Sequence, residues 1–234
     1  MIPIKHALSL CEPFVDYLNI SSPKDNLEPL TIALKPIIDS LGMSEVAEGL
    51  FMLPERSGTI KLTIRGKVCI ISASGGFLAL LRNRSIYNHY LAEFANFEHR
   101  ITMMHVTSDY GIDSPKYLAK LYSHAAKGKV YLTRKSVNPL HVTKLLGRNL
   151  EGADTGTVYL GNRANSDVWA KVYDKRQEIL AKGGQDIQPM CRVEISVQSD
   201  VNATLRDASL PKEIFYHFAG NSLVEKPLDL TGWT

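Results

Sequence analysis

The amino-acid sequence predicts an α+β fold, a largely antiparallel sheet with helices packed on one side. Three observations predict it. Alternating runs recur along the chain, as in Thr59 to Arg65, where Ile60, Leu62 and Ile64 share one face and Lys61, Thr63 and Arg65 the other. Gly66-Lys67 then forms a tight turn into Val68 to Ala73, and such a turn joins antiparallel neighbours. Longer segments of helical spacing lie between the strands and open on Ser-Pro, since proline suits the first turn of a helix.

In chain order, Phe14 to Ser21 reads as a strand. Leu27 to Leu41 reads as a helix, with Leu30, Ala33, Leu34, Ile37, Ile38 and Leu41 on one face and Pro36 as a kink. The hairpin ends at Gly75-Gly76, and Phe77 to Phe97 reads as one helix. Arg100 to Asp109 returns to strand character, and Ser114-Pro115 opens a helix to about Ala126. Lys129 to Thr133 reads as a short strand. Ser136 to Asp154, with Lys144 and Arg148, reads as an irregular basic loop. Thr157 to Leu160, Asp167 to Tyr173 and Met190 to Gln198 read as strands. Asp174 to Lys182, Val201 to Arg206 and Lys212 to Phe218 read as helices.

The order strand, Ser-Pro helix, strands, helix occurs twice, with SSPK at Ser21 to Lys24 and DSPK at Asp113 to Lys116. It reads either as two duplicated halves or as chance reuse of a common helix opener. The expected division is 1–98, the N-terminal half of the sheet, and 99–234, the half carrying the candidate chemistry.

Bulk properties narrow the class. With 234 residues the chain is long enough to bury a proper core. Its longest apolar run, Gly75 to Leu81, falls far short of the roughly 20 residues that span a bilayer. The start, MIPIKHALSL, lacks a secretory pattern, and Cys11, Cys69 and Cys191 are isolated, so a reducing cytoplasm is expected. The net charge of +3 permits a local nucleic-acid patch without demanding one.

Strand periodicity assembles a candidate site. Trp169, Lys171 and Tyr173 share one face of their strand, Arg192, Glu194 and Ser196 one face of theirs, and His105, Thr107 and Asp109 one face of a third. If these strands lie in one sheet, Tyr173, Glu194, His105 and Asp109 face the same side. Carboxylates and imidazole are donors for a divalent metal, magnesium or manganese, which would neutralise charge on a phosphate. A phenol needs a nearby cation to attack, and Lys171, Lys175 or Arg176 would supply one or hold the phosphate. The plainer alternative is that any half-exposed strand has a polar face.

Two segments carry a resemblance: Tyr159-Leu160-Gly161-Asn162-Arg163, followed by Lys171-Val172-Tyr173-Asp174-Lys175-Arg176-Gln177-Glu178, then Arg192-Val193-Glu194. They resemble the YxGxR, R-x-Y-[DN]-K-x-x-E and R-x-E elements of the replication initiation factor family, which includes rolling-circle plasmid initiators, filamentous-phage replication proteins and some relaxases. An upstream R-x-D-x-x-x-D strand falls on Met103 to Asp109. The resemblance implies that Tyr173 is the nicking nucleophile, that Lys171 and Lys175 assist it, and that Glu194, Asp109 and His105 hold the metal. It implies cleavage of one strand of origin DNA, single-stranded or supercoiled, through a 5′-phosphotyrosine. The free 3′-hydroxyl would pass to a host polymerase. Arg163, Trp169, Arg176, Arg192 and Tyr159 are then the expected DNA contacts. Three positions depart from the pattern: Lys171 for arginine, Met103 for arginine and His105 for aspartate.

Other classes fit less well. No His-hydrophobic-His strand marks a two-histidine relaxase, and His141-Val142-Thr143-Lys144 is not an HxxR box. No GxxxxGK[ST] loop exists, so strand opening would fall to a host helicase or to supercoiling. The remaining rival is a non-catalytic origin-binding relative. A homodimer is left open.

Overall fold

Hydrogen bonding and two-residue periodicity lay down ten strands in the computed structural model, which describes residues 3–132, 140–145, 156–227 and 230. They are β1 (Phe14–Pro23), β2 (Ser44–Ala47), β3 (Leu50–Met52), β4 (Thr59–Arg65), β5 (Val68–Ser74), β6 (Arg100–Tyr110), β7 (Val142–Leu145), β8 (Thr157–Leu160), β9 (Val168–Asp174) and β10 (Cys191–Gln198). They form one antiparallel sheet in the order β2-β3-β4-β5-β1-β6-β10-β9-β8-β7. The helices are α1 (Leu27–Ser40), α2 (Gly75–Asn83), α3 (Tyr87–Ala92), α4 (Ser114–Ala126), α5 (Lys175–Ala181), α6 (Leu205–Ser209) and α7 (Pro211–Ala219). This is the antiparallel α+β fold the sequence predicts. Among the described residues no helix is long and apolar enough to cross a membrane.

The chain divides into two compact units. One comprises Met1–Phe14, Val106–Ser196 and Pro211–Thr234, the other Val15–His105 and Val197–Leu210. In the second unit, β4 and β5 pair through the expected hairpin, with Leu62 opposite Ile71, and β1 continues the sheet with Ile20 opposite Ile71. α1 buries Leu30, Leu34, Ile37 and Ile38, and α2 buries Phe77, Leu78 and Leu81. Tyr90 meets the Phe77 and Phe94 rings edge-on at 5.5 and 5.3 Å.

In the first unit, β8 pairs with β7 and β9. Val158 lies opposite Val172 and Leu160 opposite Ala170, while Tyr159 lies opposite Lys171 and Thr157 opposite Tyr173. All four apolar partners are fully buried. α4 covers that apolar face: Lys144, opposite Val158, reaches the Tyr122 ring of α4 at 5.8 Å, and Leu118 of α4 lies close to Gly156. Asp113 caps α4 by accepting from the Lys116 N–H at 3.2 Å.

Several expected elements differ. The single helix over Phe77 to Phe97 is two, α2 and α3, broken at Ser85, whose φ is +59°. The β2–β3 hairpin has no sequence counterpart. Its residues are exposed or half-exposed, so no apolar alternation marks it. It turns at Gly49, φ +65°, where a Cβ would strike the Leu62 carbonyl. Strand β7 lies inside the expected irregular loop, and α6 starts four residues later than expected, at a Thr204–Asp207 capping box. Residues 129–132 are not in a strand. Thr133, Arg148 and the rest of the expected basic loop outside 140–145 lie beyond the described residues.

Leu160, fully buried between β7 and β9, is expected to anchor this half of the sheet. Leu160→Ala should cost about 2–5 kcal/mol in urea unfolding. Ile64→Ala, 55% exposed, should stay within about 0.5 kcal/mol of the parent.

Candidate active site

The YLGNR segment forms a turn that only glycine satisfies. Gly161 has φ +96°, and a Cβ there would stand 3.0 Å from the Trp169 Cβ. The Gly161 N–H donates to the His141 carbonyl at 2.8 Å. The Asn162 side chain then accepts from the Ala164 N–H at 2.9 Å, and the Asn162 N–H donates to Ser166 Oγ at 3.0 Å. This turn returns Arg163 over the strands. Its guanidinium carbon lies 5.1 Å from the Tyr159 ring centroid and 5.3 Å from that of Trp169, whose rings are 6.1 Å apart. Tyr159, Trp169 and Arg163, three expected DNA contacts, thus form one aromatic–cation group.

Tyr173 follows on the same face of β9. Lys171 Nζ lies 3.9 Å from its ring centroid and Lys175 Nζ 5.9 Å. Tyr173 itself is 5% exposed. Lys175 is held by Glu178 at 2.6 Å, one turn along α5, and Lys182 grips the other Glu178 oxygen at 2.7 Å. Burial alone would raise the Glu178 carboxyl, but the hydrogen bonds and charges of Lys175 and Lys182 outweigh it and bring it down to about 2. Asp174 stands between strand and helix and caps α5 by accepting from the Gln177 N–H at 3.0 Å. Its carboxyl is raised chiefly by burial.

Beside this group is a row of buried polar residues: Thr107 and Asp109 on β6, and Arg192, Glu194 and Ser196 on β10. Arg192 grips Asp109 with two hydrogen bonds, Nε to Oδ1 at 2.6 Å and Nη2 to Oδ2 at 2.7 Å. That pair puts the two rows on one side of the sheet. Cys191 and Asp174 mark the other side. The Cys191 thiol is raised by burial and then by the Asp174 charge, while Ser114 of α4 acts on it in the opposite sense. Alternation therefore turns Tyr173 and Glu194 away from α4, to the same face of the sheet.

The expected metal donors are not gathered in the same way. Both Asp109 oxygens are engaged by the Arg192 guanidinium, which already supplies a positive charge at that carboxylate. His105 belongs to the other unit, where its ring lies 5.0 Å from that of Tyr17. Among the described residues no three His, Cys, Asp or Glu side chains converge to hold a metal ion. As placed, this donor set does not fit a resident divalent cation. Of the remaining expected DNA contacts, Arg176 pairs with Asp186 at 2.6 and 2.8 Å, and Arg192 is buried against Asp109 with its guanidinium 5.5 Å from the Phe14 ring. Sequence reasoning did not assign Phe14 to this side of the sheet, since it opens a strand run that reads as packing.

No protein-family model and no curated protein sequence matches the chain. Among solved structures, the chain is similar to a rolling circle replication initiator protein from Geobacillus stearothermophilus. The TM-score is 0.52 at 14% identity, over 94% of this chain and 89% of that one, a likeness of fold. A di-domain ARO/CYC protein of the BE-7585A biosynthetic pathway aligns over 93% of this chain with a TM-score of 0.22, too low to carry an argument.

Two outcomes test the site's electrostatics. Asp109→Asn removes one charge of the buried Arg192–Asp109 pair and should cost about 3–5 kcal/mol in urea unfolding. Glu178 has a folded-state pKa below its unfolded one, so its contribution is complete above about pH 4.3 and disappears as pH falls through 2. The stability gap between the parent and Glu178→Gln should therefore shrink across that acidic window and be constant above it.

Proposed function

We propose that this protein initiates rolling-circle replication by nicking one strand of origin DNA with Tyr173. The observation that carries the reading is the pair of lysine ammonium groups, Lys171 and Lys175, over the Tyr173 ring. The sequence resemblance and the fold likeness to a replication initiator both support it. A cation beside the phenol favours loss of its proton and stabilises the charge that builds on the phosphate as the oxygen attacks. The phenol oxygen bonds to phosphorus while the bond from phosphorus to the 3′ oxygen breaks. The phenol proton passes to solvent base, and the leaving 3′ oxygen takes up a proton. The 5′-phosphate stays on Tyr173 as a diester of preserved energy, so a later hydroxyl can displace it and rejoin the strand.

The Tyr159–Arg163–Trp169 group suits unpaired DNA. Aromatic faces stack on bases at about 1–3 kcal/mol each, and arginine pairs with phosphate. Lys175 is positioned by Glu178, which makes Glu178 a positioning residue. The lysines serve as the cations of this reaction, because Arg192 holds the Asp109 carboxylate a metal would use. Opening of the duplex falls to supercoiling or a host helicase, and extension of the 3′ end to a host polymerase.

The second reading is a non-catalytic origin-binding protein. The near-complete burial of Tyr173 favours it. Nicking of supercoiled origin plasmid, followed on gels, separates the two. Tyr173→Phe should abolish nicking and keep origin binding, and Lys171→Ala should slow nicking about 10²-fold. Unchanged nicking by Tyr173→Phe would remove the phenol from the chemistry. Binding without nicking by the parent protein, with or without magnesium or manganese, would favour the second reading.

A further inference from the structure

A cleft of about 680 Å³ opens between α4 and the segment Pro3–Leu8, both in the first unit. That volume lies within the range of small-molecule sites, about 300–1,000 Å³. Its floor is apolar, made of Ile4, Leu8, Ile112 and Tyr117, and Leu8 remains 42% exposed. The walls are pinned. The Ile4 N–H donates to the Leu223 carbonyl at 2.9 Å, the Glu225 N–H donates to the Ile4 carbonyl at 2.8 Å, and the Tyr117 hydroxyl donates to the Leu223 carbonyl at 3.1 Å. A pinned apolar recess keeps its shape when empty, so little ordering opposes a ligand.

The rim is cationic. Lys116 and Lys120 stand one helical turn apart on α4, about 6 Å along its axis, and Lys5 joins them from the N-terminal segment. None of the three is in an ion pair among the described residues. The single carboxylate of the lining, Asp113, is engaged in capping α4. His124, a turn beyond Lys120, adds a ring whose Nδ1 is buried without a hydrogen-bond partner among the described residues. Its protonation is disfavoured by burial and by the charges of Lys129, Lys127 and Lys120.

We propose that this cleft binds an amphipathic organic anion, its apolar body on Ile4, Leu8, Ile112 and Tyr117 and its anionic head among Lys116, Lys120 and Lys5. A nucleic-acid backbone satisfies the lysines but leaves the apolar floor wet. A neutral apolar ligand fills the floor and leaves the cations unanswered. The cleft is separate from the tyrosine site, because α4 packs on the Val158 and Val172 face and Tyr173 lies on the other. A ligand here would tie the N-terminal segment to α4 and so add to stability by mass action.

The test uses the full chain with 1-anilinonaphthalene-8-sulfonate, an aromatic sulfonate, followed by fluorescence, and with decanoate as competitor. The expected result is one saturable site, displacement by decanoate, and weakening by about tenfold or more in both Lys116→Glu/Lys120→Glu and Leu8→Asp. Tyr173→Phe should bind the probe like the parent. Lys116→Gln/Lys120→Gln, which removes charge without reversing it, should fall between parent and Glu variant. Equal displacement by dodecyltrimethylammonium, or probe binding unaltered in the Glu variant, would overturn the proposal in favour of general apolar stickiness. An oligothymidylate that loses affinity in that variant while the probe does not would overturn it in favour of a phosphate-tracking surface.

Discussion

The pairing register of β8 and β9 is the constraint from which the proposed chemistry follows. With Val158 opposite Val172 and Leu160 opposite Ala170, these four aliphatic side chains turn under α4. The same register sends Tyr159, Trp169, Lys171 and Tyr173 to the other face together. A slip of one residue would exchange the two sets, burying lysine and tyrosine under the helix and exposing four aliphatic groups. Burial of the apolar set therefore fixes the polar set without any direct interaction among its members. Gly161 completes the arrangement, since the turn it permits is what brings Arg163 over the two aromatic rings.

Next to that face, the central strands bury charge where a sheet core is ordinarily apolar. Arg192 and Asp109 compensate each other there, and Thr107, Glu194 and Ser196 are buried alongside. Buried ion pairs seldom add net stability over apolar side chains of similar volume, and such a row suits the site proposed above. Tyr173, nearly enclosed but flanked by two ammonium groups, belongs to the same setting. A low local dielectric strengthens each of those interactions, which is what a site handling phosphate charge requires.

Much of the fold was legible because local chemistry announced it. The β4–β5 hairpin was read to within one residue of its ends from alternation and from Gly66, which has φ +60°. α4 was read from its Ser-Pro opening, and the structure adds Asp113 as its cap. The β2–β3 hairpin and β7 were not legible, since short, half-exposed strands carry no burial pattern. The break at Ser85 was hidden because no glycine or proline marks it. In the site, periodicity placed Tyr173, Lys171 and Trp169 on one face. The mutual grip of Arg192 and Asp109 was not visible, because partners 83 positions apart leave no local trace. Read separately, one suggested a DNA contact and the other a metal ligand.

The central claim is a covalent bond between Tyr173 and DNA. Incubating the protein with a single-stranded origin oligonucleotide, digesting with protease and sequencing the adduct by tandem mass spectrometry tests it directly. The account predicts a 5′-phosphorylated fragment attached to the peptide containing Tyr173. An adduct on Tyr159 or another residue, or cleavage that leaves no protein-linked end, would contradict it.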